Sequence, residues 1–246
     1  MWSVALGVSH KAPKMQRRKF LETCAAAAIA ATPAFAVAAD ANPRFYSRAR
    51  LVRPDGDPVR AAALPPHTNL VFHYPFAATP CFLLNLGRRL AAGAPLRTAD
   101  ARTYRWQGGV GPERSIVAYS AICAHKMSHP SRQISFISYR AEGSRETRRS
   151  RVIHCCSEHS EYDPAQGAAV VGGPAPQPLA AILLDYDERA DELYAVGTLG
   201  GEMFDEFFSK FGFRLSTEFG GKERQPADDH CVVMELAKYC RQQVKC

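Results

Sequence analysis

The sequence has no long, strongly apolar run, which limits what it can do in a membrane. Its most apolar stretch, Cys24 to Ala39, is alanine-rich and interrupted by Pro33, whereas a spanning helix takes ~20 predominantly apolar residues. There is no C-x-x-C-H, so a covalently attached c-type haem is excluded. No phosphate-binding glycine loop and no plausible hydrolase triad occur either. Excess charge is scarce once the ends are separated. Residues 1–36 hold Lys11, Lys14, Arg17, Arg18 and Lys19 against Glu22, a net +4, so of the formal +7 the remainder carries 7 − 4 = +3. A nucleic-acid binder shows a clustered basic footprint, and this excess is too small to make one.

What is present first is an address. Gln16-Arg17-Arg18-Lys19-Phe20-Leu21, followed by the alanine-rich run, resembles a twin-arginine export signal. Small-residue cleavage patterns stand at Ala34-Phe35-Ala36 and Ala36-Val37-Ala38. Residues 1–39 are therefore expected to be a signal segment, with Met15 a sensible start, and the mature protein is expected in the periplasm. An uncleaved signal would instead anchor it to the inner membrane. The other residues suffice for one large domain with extensions.

The chemistry lies further on. Cys123-Ala124-His125 is answered downstream by Cys156-Ser157-Glu158-His159. Each half offers one sulfur and one imidazole. The pattern C-x-H … C-x-x-H resembles the Rieske iron–sulfur proteins, whose [2Fe–2S] centre has two cysteines on one iron and two histidines on the other. The resemblance is dense from Ile116 to about Leu184. It implies Cys123, His125, Cys156 and His159 as ligands of one cluster. Cys155 would leave three residues before His159, Cys156 leaves the family's two, so Cys155 is expected to be a packed strand neighbour. His129 and His154 are expected to be local hydrogen-bonding residues. Ser160 and Tyr162 take the places of the hydroxyls that donate to sulfur in high-potential members, and Pro174-Ala175-Pro176 that of a cover loop. A structural zinc site also accepts two cysteines and two histidines, but it usually pairs cysteines as C-x₂₋₄-C, and here Cys alternates with His.

The resemblance implies an all-β, antiparallel fold: a base β-sandwich plus a small cluster-binding subdomain, spanning residues 40–200. The pattern of short apolar segments agrees with it. Phe45 to Val52, Asn69 to Pro75, Cys81 to Leu86, Ser115 to Ile122, Ile134 to Tyr139 and Val152 to Cys155 are expected strands, with a hairpin of Ala181 to Tyr186 and Glu192 to Val196. Residues Arg140 to Arg151 form a polar insert with five arginines, expected as a hairpin tip. It lengthens the gap from His125 to Cys156 to thirty residues, and a hairpin absorbs such length at small entropic cost. The tip is expected to be a solvated face; the alternative is that its arginines steer an acidic redox partner. Residues 201–246 are expected to be a C-terminal helical extension, with helices over Met203 to Phe211 and Cys231 to Val244. Five cysteines are left over, Cys81, Cys155, Cys231, Cys240 and Cys246. In an oxidising compartment some should pair, and the last three are the expected source.

The function implied is one-electron transfer, by an exported subunit serving a larger oxidoreductase. The segment Tyr74 to Cys81 is similar to the small Rieske subunits of arsenite-oxidase-type enzymes. The other class is a membrane-anchored quinol-oxidising subunit resembling that of cytochrome bc complexes. Many of those lock their two ligand loops with a disulfide, and the matching positions here are Ser128 and Glu158. Expected partners are a redox protein, such as a c-type cytochrome, or a catalytic subunit.

Overall fold

The computed structural model describes residues 1–2, 41–143 and 149–246. The expected signal and the tip of the arginine insert therefore lie outside the described residues, apart from the ends of each. From Ala41 onward the described chain belongs to one unit.

That unit begins with β1 (Arg44–Val52), β2 (Leu70–His73) and β3 (Pro80–Asn85), then the small hairpin β4 (Pro95–Arg97) and β5 (Thr103–Arg105). Next come β6 (Ile116–Ser120), β7 (Ile134–Ser135), β8 (Ile137–Arg140), β9 (Val152–Cys155), β10 (Ser160–Asp163) and β11 (Ala169–Gly172). The hairpin β12 (Ala181–Asp187) and β13 (Glu192–Leu199) precedes helix α1 (Phe204–Phe219). The tail holds β14 (His230–Val232), β15 (Met234–Glu235), a one-turn helix α2 (Leu236–Tyr239) and β16 (Gln242–Gln243). The all-β expectation holds, with every strand expected from the sequence present near its place.

Eight strands form the base sheet in the order β14-β1-β13-β12-β6-β3-β2-β15. Its two edge strands, β14 and β15, are separated in sequence by Val233 alone. A residue spans at most ~3.6 Å, so the edges must meet and the sheet rolls upon itself. Between the two strands, Val233 N–H donates to the Val52 carbonyl of β1 at 2.7 Å. A second sheet, β11-β10-β9-β8, lies outside this roll.

Side-chain alternation divides the core. On β3 and β6, Cys81, Leu83, Ile116 and Ala118 enter one cluster with Leu51, Phe72 and Leu193. Phe82, Leu84, Val117 and Tyr119 enter another with Ile137, Ile153, Cys155 and Tyr162 from the second sheet. Both faces of β6 are thus buried, which is why its sequence is a continuous apolar run and not an alternating one. This packing fixes the second sheet against the strand that delivers the chain to Cys123.

Three expectations need correcting. The stretch from Cys231 to Val244 is not one helix. Val232 and Val233 are β-branched and favour extended backbone, and they find open edges: β14 runs parallel to β1, and β15 antiparallel to β2. Only Leu236–Tyr239 turns helical. Conversely, α1 runs eight residues past the expected end at Phe211, until Gly220 stops it in the left-handed conformation at φ 61°. The expected strand Ile134 to Tyr139 breaks at Phe136, and the freed Phe136 carbonyl accepts the Cys156 N–H at 2.7 Å.

Candidate metal centre

Two loops meet at the top of the second sheet. The first leaves β6 through Ala121 and Ile122 and turns tightly at Cys123: the Cys123 N–H donates to the Ser128 carbonyl, and the Met127 N–H returns to the Cys123 carbonyl, both at 2.9 Å. The second is the turn between β9 and β10, whose register sets Ser160 opposite Cys155 and Tyr162 opposite Ile153.

Strand alternation decides which sulfur faces the first loop. Ile153, Cys155, Ser160 and Tyr162 share the inward face and are all fully buried. The neighbouring Cys155 thiol, ahead of the Tyr162 hydroxyl and the N–H groups of His125 and Lys126, holds the Cys123 thiol below its ordinary value against the opposing effect of burial. Cys155, its partner, is pushed up. The Tyr162 hydroxyl lies 3.2 Å from Cys123 Sγ and accepts the Ala124 N–H at 3.0 Å. With that lone pair occupied and its proton free, Tyr162 donates to any thiolate at Cys123.

Cys156 is elsewhere. It forms a disulfide with Cys246, so the expectations of a Cys156 thiolate and of pairing among the last three cysteines are not met in this structure. The physical reason is the strand period: one residue beyond Cys155, the Cys156 side chain points away from Cys123 toward the tail. Cys81, Cys123, Cys155, Cys231 and Cys240 are free and buried.

The histidines flank the sulfurs. His125 Nδ1 and Ser160 Oγ are buried and have no hydrogen-bond partner among the described residues. Buried polar atoms are rarely left so. His159 is exposed and adopts φ 56°, with its ring 5.7 Å from that of His154. Glu158 lies between the loops. Its hydrogen bond from Lys126, 2.8 Å long, holds its carboxyl below the usual range, and His125 and His159 add to that effect. The position expected to lack a covalent link between loops thus carries an ion pair.

Helix α1 braces the first loop. Phe204, Phe207, Phe208 and Leu215 bury one face against Ala78 and Ile122. The His129 ring sits edge-on between Phe207 and Phe211, at 4.8 and 5.0 Å. Its Nδ1–H donates to the Met127 carbonyl at 2.8 Å, and Nε2 accepts from Arg214 at 2.7 Å. Lys210 Nζ donates to the Lys126 carbonyl. His129 and His73 are both held neutral by burial, with pKa values lowered to about 4 from 6.5. Between those values the unfolded chain binds protons that the native one refuses, so stability falls as pH drops from 6.5 to 4 and levels off below. The loss is on the order of a few kcal/mol for the pair. Thermal melts across this range should show it, and a double variant His73→Gln, His129→Gln should flatten the slope.

These residues fit an iron–sulfur group: two sulfurs on the inner side, a partnerless buried imidazole nitrogen, and a partnerless hydroxyl beside them. No protein-family profile matches the chain. Among solved structures it is similar to the soluble domain of the Rieske protein II (soxF) from Sulfolobus acidocaldarius, at 26% identity over 64% of this chain and 82% of that one, with a TM-score of 0.43.

Proposed function

We propose that this chain is a Rieske-type one-electron carrier whose [2Fe–2S] cluster is held by Cys123, Cys155, His125 and His159. Cys155 replaces Cys156 in that set. The observation that carries the reading is the pair of buried, partnerless atoms, His125 Nδ1 and Ser160 Oγ, beside the free, buried thiols of Cys123 and Cys155. When bound, such a cluster takes up and releases one electron, at a potential of roughly −150 to +300 mV.

The chain's own groups do the rest. Tyr162 donates toward Cys123, and Ser160 offers a second hydroxyl across from Cys155. Donors to sulfur favour the more negative, reduced state and raise the potential. His159 is exposed and gives the electron its exit. The fully buried faces of β6 and β9 keep water from the sulfurs.

The finer reading is an exported electron-transfer subunit of a larger oxidoreductase, periplasmic after twin-arginine export. Its support is the Arg17-Arg18 signal pattern together with a disulfide, which suits an oxidising compartment. Support for an acidic partner comes from Arg88, Arg149 and Arg151, which line one cleft with Asp163.

Protein purified without oxygen should be coloured and carry about two irons per chain; a colourless zinc protein would end the proposal. In the same preparation Tyr162→Phe should lower the midpoint potential by about 40 mV. That figure is one hydrogen bond of ~1 kcal/mol at 59 mV per tenfold for one electron. An unchanged titration would remove Tyr162 from the tuning.

A further inference from the structure

We propose that the Cys156–Cys246 disulfide positions the second ligand loop, and His159 with it, by strapping the C-terminal tail across that loop. The inference rests on the ligand set given above. The bond joins residues 90 apart in sequence. The tail it captures is anchored independently. β16 runs parallel to β7, the Val244 N–H donates to the Ser135 carbonyl at 2.9 Å, and the Val244 carbonyl accepts from Arg140 at 2.7 Å. Cys156 itself is tied to the same segment through the Phe136 carbonyl. Tail, segment 134–140 and second loop thus form one closed frame.

The frame bears on His159. The Cys246 sulfur and one ring nitrogen each from His154 and His159 lie within 4.8 Å of one another. His154 Nδ1 is 3.4 Å from that sulfur. His159 needs such support. A left-handed φ in a residue with a Cβ persists only where the surroundings over-determine it, and His159 adopts φ 56° on an exposed turn. Without the strap, His159 remains near enough to bind but no longer holds one orientation.

The test uses the full-length, iron-loaded protein and the variants Cys156→Ser, Cys246→Ser and the double. All three should retain iron and colour. Each should lose iron to a chelator roughly tenfold faster and show the same broadened electron paramagnetic resonance line in the reduced protein, with the double no worse than either single. A disulfide that only stabilised the fold would lower the melting temperature and leave the line shape alone, and that result overturns the proposal. Reducing the disulfide in folded wild-type protein with a phosphine should reproduce the broadened line, which guards against misfolded variants. If Cys156→Ser alone removes the iron, Cys156 is a ligand and the strap is rejected. Wild-type protein without iron would instead refute the ligand set.

Discussion

Replacing Cys155 with serine is expected to leave the protein folded, colourless and essentially free of iron. The thiol lies at the end of β9, fully buried, on the face shared with Tyr162. Serine is nearly isosteric, so little packing is lost. What disappears is the second-loop thiol that the proposed ligand set pairs with Cys123. Thiolate ligands suit iron–sulfur clusters, and a hydroxyl does not replace them. Iron analysis and visible absorbance measure the loss, and circular dichroism shows whether the sheets survive. A coloured Cys155→Ser protein would return the role to Cys156 and restore the shorter spacing to His159.

Much of this site is legible in the sequence, and the exceptions have physical causes. Cys123, His125, Ser160 and Tyr162 stand out because they flank strands whose apolar runs are unambiguous, such as Ile116 to Ser120. The proposed ligand set departs from the spacing at Cys155 and Cys156, because a count of residues to His159 ignores which way a strand points its side chains. On the expected strand Val152 to Cys155, Ile153 and Cys155 are two residues apart and so share a face. The tail is misjudged for a different reason. Val232, Val233, Leu236 and Cys240 suit a helical stripe, but the rolled sheet offers two unpaired edges within reach, and edge pairing satisfies the backbone better than one more surface helix. The Cys156–Cys246 bond follows from that tertiary placement alone and could not be read from spacing. Helix α1 is underestimated because its outward face, including the 92% exposed Phe213, breaks the amphipathic pattern past Phe211.

Gly173→Ala is expected to be the most damaging single-methyl change in the described chain. Gly173 faces solvent at φ 76°, so burial does not explain the demand for glycine. The added Cβ would stand 2.2 Å from the His159 carbonyl oxygen and 2.6 Å from Ser160 Cα. Those are backbone atoms, so no side-chain rotation relieves the contact. Either the segment Pro174-Ala175-Pro176 lifts or the second loop shifts, and both His159 and Ser160 lie on it. The left-handed backbone adds ~1–2 kcal/mol for any residue with a Cβ, and the overpacking typically adds 1–3 kcal/mol, so a total of about 3 kcal/mol follows. The neighbouring Gly172→Ala isolates the cause. Its Cβ meets the end of the Glu161 side chain, at 2.9 Å from Oε2, which can swing away. Denaturant titration should therefore show a loss below about 1 kcal/mol for Gly172→Ala and several-fold lower iron loading for Gly173→Ala only. Equal behaviour of the two variants would mean that the close approach of Gly173 to His159 does not hold the loop.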